Sequence, residues 1–391
     1  MSVSLSMPTE LLKAIFRYAM YAGLDLSPAT THTKPDAHWL VKFEDDNLEM
    51  TETKIALTRV SRRFRRIALE FLYEFVIIDK PKQAEKLLEL MKEQSSHRRR
   101  SKLRPREWIR FLCVRRSSAR IVTELLRLCR RLKGFSWNPH YAQIRPQDWE
   151  AAQDEMIQTI PTNLRFLHWN EEVPFKLFTA FLQKASASIE IICVSGMQVD
   201  KSLKPPLSRS SFPSLTHLHF EYPSHFLCLE ALTWETASLV ELNISGLYLG
   251  EDFTRNFQNA SKSLRVLRLG RHVRLMPDLL SHILDAWVNL EELYYHTGHG
   301  YIGDTALWAS DLAHMKMQKV GVNASKATPV TFGEARPMLR HYFGRISKTS
   351  FPSLDTVIIC DVTSNPLVSN DYSVLMRRVS EDFNSAKISV I

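Results

Sequence analysis

The sequence predicts an α/β chain in which a short helical N-terminal segment precedes a solenoid, a curved parallel sheet with helices on its outer side. Three observations carry this expectation. A pattern of apolar residues at positions one, four and six recurs roughly every 25 residues, helix-spaced apolar stripes lie between its copies, and two amphipathic stretches stand ahead of them.

The copies begin at Leu164 (LRFLHW), Ile189 (IEIICV), Leu215 (LTHLHF), Leu239 (LVELNI), Leu264 (LRVLRL), Leu290 (LEELYY) and Met317 (MQKVGV), at intervals of 25, 26, 24, 25, 26 and 27 residues. A further copy starts at Leu354 (LDTVII) after 37 residues, and weaker ones start at Leu132 (LKGFSW) and Ile109 (IRFLCV), so ten short strands are expected. Phe-Pro-Ser (Phe212 to Ser214, Phe351 to Ser353), Ala237-Ser238 and Lys262-Ser263 precede four of them, turn sequences suited to stopping one element before the next. Between copies, Pro277 opens a segment in which Leu280, Ile283, Leu284 and Trp287 fall at i, i+3, i+4 and i+7, and Pro174 to Ser186 reads the same way. One strand plus one helix cannot bury its apolar face alone, so neighbouring units must stack with their strands parallel. The solenoid is expected over residues 105–391, after a helix and basic linker at 81–104.

Over that range the chain resembles the leucine-rich-repeat family. The family pattern continues with Asn or Cys three residues past the third apolar position, where this chain has Glu172, Pro223, Leu247 and His272, so irregular turns and uneven curvature are expected. With positions one, four and six inward, positions three and five face outward by the strand period of two. This concave face would present His168, His217, His219, Glu241, Asn243, Arg268, Glu292 and Tyr294 to a partner protein, with Arg268, Glu292 and Tyr294 as one patch outside the core. The strand-end loops, such as His296 to Gly303, are the competing location.

The N-terminal segment is expected over residues 1–80. Pro8 opens a helix in which Leu11, Leu12, Ile15, Phe16 and Ala19 share an apolar side, and Leu57, Val60, Phe64 and Ile67 form a second stripe. Two such helices are too small to enclose a core by themselves and must pack on something else. The paired motifs resemble the F-box of fungal-type members, Leu-Pro-x-Glu-Leu-Leu-x-x-Ile-Phe followed by Leu-x-x-Val-Ser-Arg-Arg-Phe/Trp. Met7 replaces the leucine of the first, Phe64 the tryptophan of the second, and Phe71 to Ile77 resembles the strand that follows the motif in many members. The resemblance implies docking on a Skp-family adaptor, and through it a cullin-RING ubiquitin ligase, by Pro8, Leu11, Ile15, Leu57, Val60, Ser61 and Phe64. The repeats would then bind an unidentified substrate protein. The spacer Gly23 to Thr53 is some thirty residues longer than usual and reads as a loop. Whether it leaves the adaptor room to dock is open, and a scaffold without ligase function is the alternative.

Composition bounds the rest. Five cysteines, none in a C-x-x-C pair, argue against a disulfide framework and a structural zinc site. The histidine pairs His217-x-His219 and His296-x-x-His299 lack partner ligands in their pattern. Phosphate-loop, H-E-x-x-H and G-x-S-x-G motifs do not occur, so no catalytic role, cofactor or metal is expected. Met1 to Met7 has no secretory pattern and no apolar run reaches membrane-spanning length, which points to a cytoplasmic or nuclear protein with no membrane partner. The net charge of +9 concentrates at Arg62, Arg63, Arg65 and Arg66 and from His97 to Arg110. With aromatics nearby at Trp108 and at Tyr342 and Phe343, that keeps RNA binding as a weaker rival.

Overall fold

The computed structural model describes residues 7–20, 39–96, 105–139, 149–171, 175–195, 210–221, 231, 234–245, 262–270, 273, 279–296, 313–323, 346–360, 381, 383–384 and 387–390. Two compact units divide the chain, one of residues 1–30 and 37–189, the other of 31–36 and 190–391. Both are built from parallel strands in chain order.

In the first unit α1 (Thr9–Met20), α2 (Trp39–Val60) and α3 (Arg62–Glu74) lead directly into β1 (Phe75–Ile78). There follow α4 (Pro81–Ser96), α5 (Pro105–Trp108), β2 (Phe111–Val114), α6 (Ala119–Leu128), β3 (Gly134–Trp137), α7 (Trp149–Thr159), β4 (Phe166–Asn170) and α8 (Phe175–Ala185). β1 to β4 pair each with the next in parallel. The helices α4, α6, α7 and α8 pack side by side in that order. Their apolar stripes, such as Phe178, Phe181, Leu182 and Ala185 of α8, are buried, and Phe178 meets Trp169 of β4.

The second unit carries β5 (Ile191–Ser195), β6 (His217–Glu221), β7 (Glu241–Ser245), β8 (Val266–Leu269), α9 (Leu279–Ala286), β9 (Glu292–His296), β10 (Lys319–Asn323), β11 (Thr356–Cys360) and β12 (Ser389–Val390). These eight strands also pair parallel in sequence order. The stripe expected in α9 is inward, with Leu280, Ile283, Leu284 and Trp287 buried.

All ten expected strands are present, and each starts two residues after its position-one residue, from Ile109 and Phe111 to Leu354 and Thr356. Every position-one side chain is fully buried, as are Leu218, Leu242, Leu267 and Leu293 at position four. One carbonyl at position two receives two N–H donors from the next copy: Lys133 and Gly134 donate to Arg110, and Val240 and Glu241 donate to Thr216. That repeated bifurcation seats each strand on its predecessor. The family's asparagine positions Glu172, Pro223, Leu247 and His272 lie outside the described residues. A different ladder occupies the residue just before position one. Ser188 donates to Thr162 O (2.9 Å), Ser238 to Pro213 O (2.7 Å), Asn289 Nδ2 to Lys262 O (3.0 Å) and Ser353 to Met315 O (2.6 Å), each reaching the turn of the preceding copy. These bonds satisfy turn carbonyls that no strand partner reaches.

Three expectations are corrected. Trp39–Val60 is helical, so the second half of the Gly23 to Thr53 spacer is helix rather than loop. Leu57 to Ala68 is not one helix: Ser61, extended at φ −159°, ends α2 and caps α3 by accepting from Phe64 N at 3.1 Å. The strand series begins at β1, inside the expected 1–80 segment, and α4 within 81–104 packs against β1 and α6 as part of the same stack.

Candidate functional site

Two surfaces gather the residues singled out from sequence, one in each unit. In the first unit, Leu12 and Phe16 of α1 close a small core with Ile67, Ala68 and Phe71 of α3, and Met7, Leu57 and Phe64 pack on it partly buried. Phe16 meets Phe64 edge-on at 4.9 Å. Arg63 donates to Met7 O, and Lys13 pairs with Glu70 at 2.7 Å, so α1 is fastened to α3 at both ends of the contact.

The residues expected to dock therefore divide. Leu57 and Phe64 pack partly buried against the internal core. Leu11 and Ile15, a turn apart, remain 49% and 44% exposed, and Val60 is 62% exposed. Pro8 and Ser61 are exposed as well. Tyr18, 94% exposed, extends the stripe of Leu11 and Ile15 by i+7 and was not singled out from sequence, although the spacing contains it.

In the second unit the face made by positions three and five bears a connected row of polar side chains. Register sets His217 beside Glu241, His219 beside Asn243, Asn243 beside Arg268, and Arg268 beside Tyr294. Glu241 Oε1 takes Arg268 Nε at 3.1 Å and lies 3.3 Å from His219 Nε2. The Arg268 guanidinium lies over the Tyr294 ring, 4.0 Å from its centroid. Tyr294 donates to Glu292 Oε2 at 2.8 Å, and Lys319 Nζ donates to Glu292 Oε1 at 2.9 Å. Backbone size fixes part of this: a Cβ on Gly321 of β10 would run into the Tyr294 ring, so glycine leaves that ring room to lie beside Ile358 of β11. In the first unit His168 lies on the equivalent face, its Nδ1 2.9 Å from the Ser136 hydroxyl.

In each unit these side chains do not stand in solvent. Arg268 is 7% and Tyr294 2% exposed, and His168, His217, His219 and Glu241 are equally buried; only Asn243 and Glu292 are half-buried. Tyr294 belongs to a core cluster with Val266 and Ile358, so this member of the patch expected outside the core is part of it. Strands about 4.8 Å apart carrying large side chains at matching positions cover one another. The electrostatics follow. Burial lowers His217 to about 4, with only partial compensation from Glu241, so its ring is neutral at pH 7. Burial alone would raise the Glu241 carboxyl, but the hydrogen bond from His219 and the charges of His219, Arg268 and His217 outweigh it and hold the group below the usual carboxylate range. Burial, then the Glu292 charge, pushes the Tyr294 hydroxyl up.

Cys113, Cys129 and Cys193 are buried, and burial pushes the Cys129 thiol up to about 12, far from a reactive thiolate. Among the described residues no group of three or more His, Cys, Asp or Glu could hold a metal ion, and no helix is long and apolar enough to cross a membrane. The basic run Arg98 to Arg100, the second histidine of the His296 pair, the loop 297–303 and the cluster around Tyr342 and Phe343 lie outside the described residues. No protein-family model matches the chain, and no curated protein matches it.

Proposed function

We propose that this chain is the non-catalytic substrate-recognition subunit of a Skp–cullin–F-box ubiquitin ligase, docking on a Skp-family adaptor through its N-terminal helices and binding a substrate protein through its repeats. One observation carries the reading: α1 has more apolar surface than its own core uses. Leu12 and Phe16 are buried, while Leu11, Ile15 and Tyr18 remain exposed along one side. Burying a Leu or Ile side chain contributes about 1.5–3 kcal/mol, so a partner that covers both gains several kcal/mol from α1 alone. Val60, exposed at the α2–α3 junction where Arg63 reaches the first turn of α1, supports the same docking side.

Co-expression with a Skp-family adaptor followed by gel filtration tests the proposal. A stoichiometric complex is expected for the parent chain and none for Leu11→Asp/Ile15→Asp, which sets two charges in an apolar interface while sparing Leu12 and Phe16. Full binding by that double variant refutes the docking surface. Absence of any complex with the parent favours a scaffold without ligase function.

A further inference from the structure

We propose that Arg59, Arg62, Arg65 and Arg66, exposed around the α2–α3 junction, steer the adaptor onto this chain through carboxylates that border the adaptor's apolar contact surface. This rests on the reading of the N-terminal helices as the adaptor site and names the charge that the partner carries there.

The fold makes no use of these four side chains. Arg63, among them in sequence, donates to Met7 O and ties α3 to the start of α1, while Ile67, Ala68 and Phe71 turn into the core that α1 and α3 share. Arg59, Arg62, Arg65 and Arg66 are instead exposed, and none has an ion-pair partner among the described residues. Arg65 and Arg66 follow Arg62 at i+3 and i+4, so the three share one exposed face of α3. Glu70 lies one turn past Arg66, at a spacing that suits a pair, but Lys13 holds it at 2.7 Å. The first turn of α3 has no acidic residue. Like charges three and four residues apart weaken a helix, and cations near its N-terminus oppose its dipole. An anionic partner relieves both effects.

The surroundings select the kind of partner. Val60, 62% exposed, stands in the chain between Arg59 and Arg62, and the exposed Leu11 and Ile15 lie on the helix that Arg63 fastens to this junction. Apolar side chains bordered by charge match a protein interface, with its apolar centre and polar rim. Charges on such a rim act on the rate of encounter more than on the lifetime of the complex.

Stopped-flow association of the full chain with a Skp-family adaptor at 50 and 300 mM NaCl tests this. Association is expected to slow at least tenfold across that range, because exposed charges are screened. Replacing all four arginines by Gln should slow association at least tenfold at 50 mM, remove most of the salt dependence and change dissociation less than threefold. Replacing them by Lys should keep the parent's rate, since charge rather than guanidinium geometry does the steering. The thermal midpoint of the Gln variant should not fall; if that variant fails to fold, Arg62→Gln/Arg66→Gln decides the matter. A salt-independent parent rate, or a Gln variant as fast as the parent, overturns the proposal while leaving the adaptor site standing. Absence of any complex with the parent overturns both. Arginine-dependent binding of a 20-nucleotide oligouridine or of phosphatidylserine vesicles, with adaptor kinetics unchanged, also overturns it and assigns the patch to nucleic acid or a membrane surface.

Discussion

Arg268 shows how one side chain is committed by its neighbours. With Glu241 on its Nε and Tyr294 under its plane, its removal leaves a carboxylate buried without its cation. Arg268→Ala is expected to cost about 3–5 kcal/mol in urea unfolding. Replacing Arg268, Glu292 and Tyr294 together by Ala should lower the thermal midpoint markedly; an unchanged midpoint would mean that the face is solvated after all. His217 gives this face a pH dependence. Its folded value of about 4 lies below the unfolded value of about 6.5, so the stability it contributes is complete above pH 6.5 and is lost as pH falls toward 4. The loss is at most about 3 kcal/mol, and His217→Gln should flatten it. Glu241, held below its usual range, acts in the same direction at lower pH. The strand period was enough to name this row from the sequence. It could not reveal the burial, which depends on which side chains meet across strands and on Gly321 making room for Tyr294.

Each strand began where the apolar pattern required, because a period of two next to a buried position one leaves little choice of register. Two elements are instructive. β1, read over Phe71 to Ile77 as the strand after the helical motif, is four residues long and continues directly from α3, so no turn announces it as the first of the parallel series. In α2 the exposed Leu48 and Ile55, the partly buried Leu57 and the exposed Val60 do not form one inward stripe, while Asn47 and Lys54 are buried, so a periodicity search finds no helix. The turn residue before position one was seen only as a stop signal, yet its side chain links consecutive copies. Ser238→Ala and Asn289→Ala should each cost about 1 kcal/mol in chemical denaturation, the net value of one hydrogen bond. Ser61→Ala should cost a similar amount through loss of the α3 cap and should raise amide exchange at Phe64.

At the scale of the whole molecule the chain is α/β, with parallel strands following sequence order in both units. The division at 189/190 was not legible, because the repeat spacing runs through it unchanged, at 25 residues before and 26 after. A local pattern says what each unit of sequence forms, not which units cluster. The central claim is that the apolar surplus of α1 is an adaptor site. Hydrogen–deuterium exchange of the full chain, free and mixed with a Skp-family adaptor, tests it most directly. The account predicts slowed exchange confined to Thr9–Met20 and the α2–α3 junction around Val60 and Ser61, with the strands of the second unit unchanged. Protection on those strands instead, or no protection on α1 in the presence of a bound adaptor, would contradict it.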